Sequence, residues 1–293
     1  MTEPATTPDA PAWFRQALAH RPEHRQVPVE GVPIAYRVWG DGGDAGAPGV
    51  VLVHGGTAHA GWWDHVAPQL GGHRELAVEL SGHGDSGHRE SYDSHQWARE
   101  VVAVAAREGF DRPVVIGHSM GGRVAVTIGV DLPETVSAIA VIDSALNDSP
   151  PDEERVRERR RPHRVYPTAA EATERFRTLP PQDVVLPYVR HHVARASLRK
   201  VEGGWTWKFD PRVFGNLLRL RDQLPQLTPP TVLFRCQHGM IGEAMGREMA
   251  RLVPDGMPVV ELPGAGHHPM LDQPLALVTA LRTQLALWPP KVR

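Results

Sequence analysis

The sequence contains a single cysteine, Cys236, among its 293 residues. One cysteine cannot form an internal disulfide, and it cannot supply the sulfur ligands of a zinc ribbon or an iron–sulfur cluster. An excess of charge is missing as well, since 32 basic side chains stand against 34 acidic ones and the formal net charge is −2. This balance argues against a surface built to bind nucleic acid or an anionic membrane.

Long hydrophobic runs are also absent. The longest, residues 101–106, is about six residues, against the roughly 18 that a membrane span requires. Residues 1–12 lack the basic and then apolar segments of a signal peptide. No G-x-G-x-x-G or Walker sequence occurs, and the histidines offer few spacings typical of metal sites. We therefore expect a cytoplasmic protein with no cofactor, no metal, and no nucleic-acid or membrane partner.

Short apolar segments alternate with helical patterns along most of the chain. After a hairpin-like start at 26–30 and 33–39, uninterrupted apolar runs predict buried strands, and the spacing between most of them predicts helices of about 10–15 residues. This alternation predicts an α/β protein with a mostly parallel sheet and helices on both faces. The predicted strands are 50–53, 76–80, 113–116, 138–142, 231–234 and 258–262, and the predicted helices are 95–108, 120–130, 242–252 and 275–287.

One segment, residues 147–225, breaks the alternation because it contains no central-strand pattern. A structureless loop of that length is implausible in a compact domain, so we predict an inserted helical cap. Its helices are predicted at 152–161, 169–177 and 184–198, before an aromatic string at 204–210. The domain organisation that follows is a flexible or helical extension at 1–25, a core formed by 26–146 and 226–293, and the cap at 147–225.

The most specific chemical signal is Gly117-His118-Ser119-Met120-Gly121, which lies between a predicted strand and a predicted helix. A serine on a tight strand-to-helix turn adopts a strained backbone, and the flanking glycines leave room for it. Its hydroxyl then stands next to a helix N-terminus, which favours developing negative charge. This context predicts that Ser119 is a nucleophile.

Three further motifs follow the predicted strands, and together with the serine turn they resemble the α/β-hydrolase superfamily from about residue 27 to residue 288. They are His54-Gly55-Gly56, Ser81-Gly82-His83-Gly84-Asp85-Ser86 and Gly264-Ala265-Gly266-His267-His268-Pro269. The resemblance implies an α/β-hydrolase fold with an inserted helical cap. It also implies a carboxylesterase-like serine hydrolase that cleaves an ester, lactone or thioester of a small, partly apolar substrate through an acyl-enzyme.

The resemblance also implies roles for individual residues. The backbone N–H groups of Met120 and Gly56 would form the oxyanion hole, and His267 would be the general base, with the adjacent His268 as the alternative. Trp62 and Trp63 follow the oxyanion turn and, with Trp205 and Trp207 of the cap, are candidates to line the substrate pocket. Packing in the core explains these tryptophans equally well.

The orienting acid departs from the commonest family pattern. The family usually places an Asp after the penultimate strand, but here Cys236 is followed by no carboxylate until Glu243. Some members, including certain haloalkane dehalogenases, carry the acid after the strand that follows the nucleophile helix, and that position is Asp143 in this chain. Asp143, Glu243 and the absence of an acid remain three alternatives.

Three alternative functions also remain. They are a cofactor-free haloperoxidase or perhydrolase, a carbon–carbon bond hydrolase, and a non-hydrolytic binding or lyase-like protein lacking a full triad.

Overall fold

The computed structural model describes residues 9–40, 47–146, 160–214 and 218–288, together with residues 154 and 157. Within these residues, eight strands form one sheet and two more form a separate hairpin. The strands are β1 (Glu23–Val29), β2 (Val32–Trp39), β3 (Val50–Val53), β4 (Glu75–Val78), β5 (Val114–His118), β6 (Ala138–Ile142), β7 (Leu198–Val201), β8 (Gly204–Trp207), β9 (Thr231–His238) and β10 (Val259–Gly266).

The helices follow most of the parallel strands, as the alternation of patterns predicts. In the described part of the chain they are α1 (Ala12–Ala19), α2 (Ser94–Arg107), α3 (Met120–Asp131), α4 (Ala169–Glu174), α5 (Pro187–Ala196), α6 (Leu220–Gln223), α7 (Glu243–Leu252), α8 (Pro269–Asp272) and α9 (Pro274–Leu287). None of these described helices is both long and apolar enough to cross a membrane.

The large sheet has the order β1-β2-β4-β3-β5-β6-β9-β10. Strand β2 pairs antiparallel with both β1 and β4, and every pairing from β4 across to β10 is parallel. The sheet is therefore mostly parallel, as predicted. Because the parallel strands all end at the same edge, the loops that follow β3, β5, β6, β9 and β10 meet there, and this edge is where α/β sheets usually bind ligands.

The hydrophobic core lies on both faces of this sheet. In β3, Val51 and Val53 belong to one buried cluster, which includes residues of α2 and α3, whereas Val50 and Leu52 belong to a second cluster, which includes residues of α1 and α9. All four strand residues have no exposed surface. Helices on both faces explain why the strand reads as an uninterrupted apolar run.

The segment between β6 and β9 contains more than the helices predicted for it. Helices α4 and α5 match two predicted helices, but the aromatic string enters β8, which pairs antiparallel with β7. Trp205 and Trp207 alternate with Thr206 along β8, and Gly203 supplies a φ of +78° at the turn. The sequence analysis assigned no secondary structure to the aromatic string, because its alternation of period two was not recognised as a strand. The predicted helix at 152–161 lies largely outside the described residues.

The strand ends also differ from the sequence prediction where they matter for the site. Strands β9 and β10 continue to His238 and Gly266, four residues beyond the predicted ends at 234 and 262. At the other end of the sheet, β1 begins at Glu23, inside the predicted N-terminal extension. Helix α1 of that extension packs Phe14 into the core, where the side chain is 1% exposed.

Candidate active site

Ser119 lies between β5 and α3, at the carboxyl edge of the sheet. Its φ of +53° falls in the left-handed region, which non-glycine residues rarely adopt. The strain is tolerated because Ser119 N donates to Ile142 O at 2.9 Å, and Ser119 O accepts from Gly122 N at 3.0 Å. The hydroxyl is held at a sharp turn, and the residue is partly exposed.

The glycines on either side of Ser119 are required by close backbone approaches. A Cβ at Gly117 would lie 2.6 Å from Gly122 N, and a Cβ at Gly121 would lie 2.7 Å from the carbonyl carbon of Val53. Both distances are shorter than a side chain can accept, and neither obstacle can rotate away because both are backbone. The two glycines of the G-x-S-x-G motif are thus required by the close packing of β3, β5 and α3.

Two hydrogen bonds connect Ser119 to a buried carboxylate through His267. The Nε2 atom of His267 lies 3.0 Å from Ser119 Oγ, and its Nδ1 atom lies 2.7 Å from Asp143 Oδ2. His267 is 4% exposed and Asp143 has no exposed surface. Since a carboxylate can only accept, the neutral ring carries its proton on Nδ1 and presents an unprotonated Nε2 to the hydroxyl.

Asp143 reaches this position because it follows β6 directly and adopts a φ of +45°. Its Oδ2 also accepts from Met240 N at 2.7 Å, and its Oδ1 accepts from Cys236 N at 3.3 Å. The carboxylate therefore lies over the end of β9, where a Cβ at Gly239 would be 2.6 Å from Asp143 Cγ. The residues between Cys236 and Glu243 include no acid, and in the structure the carboxylate of Asp143, from the neighbouring strand β6, occupies this place.

The alternative residues are placed differently. Glu243 is exposed at the start of α7 and pairs with Arg247 at 3.2 Å. His268 is buried, with 3% of its surface exposed. Burial, together with the adjacent His267, lowers the pKa of His268 to about 3. Of the two neighbouring histidines, His267 is the one that contacts Ser119.

The predicted oxyanion hole lies at the turn after β3 and at the start of α3. The backbone N–H groups of Gly56 and Met120 donate no hydrogen bond to any residue in the described ranges. The two residues are neighbours, since a Cβ at Gly56 would lie 3.9 Å from Met120 Sδ. Two free N–H groups beside a serine hydroxyl, one of them at a helix N-terminus, can stabilise an oxyanion.

His54, directly after β3, connects this turn by hydrogen bonds to the residues that follow β4. Its Nδ1 lies 2.7 Å from Gly55 O, and its Nε2 accepts from Leu80 N at 3.1 Å. Burial lowers the pKa of His54 to about 4, so the ring is neutral and can accept the Leu80 bond. The sequence indicated only that His54 begins the motif; its hydrogen bonds required the tertiary structure.

The four predicted pocket tryptophans fall into different environments. Trp62 packs its ring 5.4 Å from that of His268 and 6.1 Å from that of Phe176. Trp207 lies 6.0 Å from Phe176, so the aromatic contact continues into the inserted segment. Of the other two, Trp63 has no exposed surface and lies in the core, and Trp205 packs against the small cluster of the inserted segment.

The structure also gathers three histidines that sequence spacing did not indicate as a group. His118, His267 and His268 each place one ring nitrogen within 4.8 Å of the other two, and all three residues are buried. His118 lies 149 positions before His267 in the chain. Sequence spacing relates only histidines that are close in the chain, so it does not reveal a group assembled by β5 and the loop after β10.

A mostly parallel sheet with a serine on a strand-to-helix turn at its carboxyl edge defines an α/β-hydrolase fold. The model of the alpha/beta hydrolase family matches residues 50–281. The chain belongs to this family.

Its relatives include enzymes that cleave esters. Esterase Rv0045c of Mycobacterium tuberculosis is 30% identical over 249 residues, which cover 80% of this chain and 82% of the esterase. A monoacylglycerol lipase of Mycolicibacterium smegmatis is 36% identical over 135 residues, covering 43% of this chain and 48% of the lipase. These relatives support a hydrolase that cleaves ester bonds.

Solved structures agree on the fold. A structure of the Mycobacterium tuberculosis esterase, determined in a study of its inhibition by transition metals, has a TM-score of 0.71 at 26% identity and covers 94% of this chain and 96% of that chain. The thioesterase domain from the curacin biosynthetic pathway has a TM-score of 0.74 at 22% identity, covering 89% and 99% respectively. The latter similarity concerns the fold alone.

Proposed function

We propose that this protein is a serine hydrolase that cleaves a carboxylic ester or a related acyl bond of a small molecule through an acyl-enzyme. The observation that carries the proposal is the continuous hydrogen-bonded path from Ser119 Oγ through His267 to Asp143. A serine hydroxyl is a weak nucleophile until an adjacent base removes its proton, and this path supplies the base together with the group that orients it.

In the proposed acylation step, Ser119 Oγ attacks the substrate carbonyl while His267 Nε2 takes the hydroxyl proton. The carbonyl oxygen becomes an oxyanion, which the N–H groups of Met120 and Gly56 stabilise. His267 then returns the proton to the leaving alcohol as the tetrahedral intermediate collapses to the acyl-enzyme. Asp143 stabilises the imidazolium in the meantime without taking up the proton.

Deacylation repeats these roles with water. His267 takes a proton from the water as it attacks the acyl carbonyl, and it returns that proton to Ser119 Oγ when the acid leaves. The same two N–H groups stabilise the second oxyanion. This cycle needs only groups that the chain itself carries.

The inserted segment at 147–225 is proposed as a cap that shapes the substrate pocket. Gln182 Oε1 accepts from His268 N at 2.8 Å, so the segment contacts the loop that bears the proposed base. The aromatic row formed by Trp62, Phe176 and Trp207 runs from the core into this segment. Apolar side chains at that place favour a partly apolar substrate.

Labelling with a fluorophosphonate tests the proposal directly. The wild-type protein should become covalently modified at Ser119, as peptide mass spectrometry can locate, because only an activated serine reacts readily. Ser119→Ala should not react, and the exposed-acid variant Glu243→Gln should react like the wild type. A folded wild-type protein that remains unlabelled would refute the serine hydrolase proposal.

A further inference from the structure

The backbone of the loop that carries the proposed base is held by side chains. Gly266 N donates to Asp272 Oδ2 at 2.6 Å. His118 Nε2 lies 2.8 Å from His267 O, and because a carbonyl oxygen can only accept, the ring donates. Asp272 ends α8 and His118 ends β5, so both side chains come from the core around the sheet. These two bonds fix the backbone just before the proposed base and at the base itself.

A third bond to this loop comes from the inserted segment. His268 N donates to Gln182 Oε1 at 2.8 Å, so the residue that follows the proposed base is held as well. The Nε2 atom of the same amide donates to Val184 O at 3.0 Å, and this second bond fixes which end of the amide faces the loop. Three consecutive residues are thus bound by three side chains, and Gln182 is the one that lies outside the core.

Gln182 also packs closely against the loop that it binds. A Cβ at Gly266 would lie 2.6 Å from Gln182 Cδ, 2.7 Å from its Oε1 and 3.0 Å from its Nε2, and these are the three nearest atoms. The φ of Gly266 lies outside the left-handed region, so its backbone conformation does not demand glycine. The space taken by the Gln182 amide is what requires glycine directly before the proposed base.

The contact between the loop and the inserted segment is shielded from solvent. His268 is 3% exposed, and its ring contacts the backbone of Leu179 and Pro180 in the same segment. Bulk water therefore has little access to the N–H group that Gln182 accepts from. A buried donor that loses its acceptor is costly, so removing the Gln182 oxygen favours a shift of the loop.

We propose that Gln182 is a positioning residue through which the inserted segment holds His267 in reach of Ser119. This inference rests on the proposed hydrolase function, because the position of His267 affects a rate only if His267 acts as the base. The distance from His267 Nε2 to Ser119 Oγ is 3.0 Å, and a misplacement of about 1 Å can cost about 100-fold in rate. Hydrolysis then depends on the inserted segment lying in place, even for a substrate that does not touch Gln182.

The variants Gln182→Met and Gln182→Glu separate the hydrogen bond from the packing. Both keep the length of the side chain, but only the glutamate keeps an oxygen that can accept from His268 N. Gln182→Met should lower kcat for a p-nitrophenyl ester by about 10–100-fold with little change in KM. Gln182→Glu should keep kcat well above that of Gln182→Met. Gln226→Met, at an exposed glutamine, is the matched control and should behave like the wild type.

The split between kcat and KM decides the role of Gln182. A wild-type kcat in Gln182→Met would overturn the proposal. A loss confined to KM would also overturn it, because Gln182 would then contact the substrate rather than position the base. The bond from Leu186 N to Leu271 O at 2.9 Å remains in every variant and keeps the segment on the loop, and circular dichroism checks that each variant is folded.

Gly266→Ala tests the same contact from the side of the loop. Its methyl group would displace the Gln182 amide, so this variant should lose kcat as Gln182→Met does. In a Gln182→Ala background the obstacle is gone, and Gly266→Ala should then cost little beyond the loss that Gln182→Ala causes alone. Losses that multiply, as they do for independent sites, would contradict the proposal.

A spectroscopic measurement separates this inference from the proposed function. The Nδ1 proton that His267 donates to Asp143 Oδ2, at 2.7 Å, should give a far-downfield proton NMR signal that needs no turnover. The signal should broaden in Gln182→Met, because a loosened loop lets that proton exchange with water, and it should remain sharp in Gln226→Met. A wild-type protein that neither cleaves esters nor reacts with the fluorophosphonate would refute the proposed function, whatever the signal does. An active wild-type enzyme whose signal and kcat are unchanged by Gln182→Met would overturn the positioning role alone.

Discussion

The carboxylate of Asp143 lies where a side chain at Gly239 would otherwise be, with its Cγ 2.6 Å from the position of a Cβ at that glycine. Asp143 follows β6 and Gly239 follows β9, and these strands are neighbours in the sheet. An acid that follows either of these adjacent strands can therefore lie beside His267. Side chains at both positions would overlap, so only one of the two can be present. This chain uses β6.

Asp143→Asn should lower kcat for a p-nitrophenyl ester by about 10⁴-fold if Asp143 orients His267, because an amide favours the wrong tautomer of the ring. Steady-state kinetics at neutral pH measure the loss. Glu243→Gln is the control and should retain wild-type activity, since Glu243 is exposed and contacts Arg247. An unaffected Asp143→Asn enzyme would remove Asp143 from the mechanism.

Gly239→Ala should reduce activity because the new methyl group displaces the Asp143 carboxylate. Gly242→Ala is the matched control, since a Cβ there meets no atom within 4 Å. The double variant Asp143→Gly with Gly239→Asp moves the acid from one strand to the other, and it should recover part of the activity that Asp143→Gly alone loses. A fully active Gly239→Ala enzyme would contradict the inference that a side chain at position 239 and the Asp143 carboxylate compete for the same place.

Gly121→Ala should destabilise the fold by more than about 2 kcal/mol, because the added methyl group overlaps the backbone of β3. Urea denaturation followed by circular dichroism gives the free energy of unfolding. Gly246→Ala, also in a helix, meets only ordinary contacts of 3.5–3.8 Å and should be neutral or stabilising by up to about 1 kcal/mol. Similar unfolding free energies for the two variants would argue against the tight crossing of β3 and α3.

The buried histidines should each make the folded protein less stable as the pH falls below about 6.5. Burial lowers the pKa of His54 and of His65 to about 4 each, and it lowers the pKa of His59 and His83 well below 6.5. At a pH between the pKa of such a histidine in the folded protein and its pKa in the unfolded chain, the unfolded chain binds a proton and the folded protein does not. Each such histidine therefore costs about 1.4 kcal/mol of stability per unit of falling pH.

Urea denaturation at pH 7, 6 and 5 measures that slope. His65→Gln should make the slope shallower because one buried histidine no longer titrates, whereas His20→Gln, at an exposed position, should leave it unchanged. Because buried Glu75, whose pKa burial raises to about 8, contributes with the opposite sign, the comparison of variants decides. A slope that His65→Gln leaves unchanged would show that this ring is not buried in its neutral form.

The positions of the core strands could be predicted closely from apolar runs. The bounds Val50–Val53 and Ala138–Ile142 agree with the prediction because helices cover both faces of those strands. The ends of β9 and β10 could not be predicted in this way. Their terminal residues are His238 and Gly266, which pair with each other across a shift in register after Leu262, and no apolar run marks that pairing in the sequence.

The sequence by itself determined the family, through a G-x-S-x-G turn whose glycines are required by backbone approaches of neighbouring elements. It also determined the order of Ser119 and His267 along the chain. Only the tertiary structure decided which carboxylate lies beside His267 and which histidines stand together. Those relationships join residues more than a hundred positions apart, and the pairing of β6 with β9 and of β9 with β10, not local pattern, brings them within bonding distance.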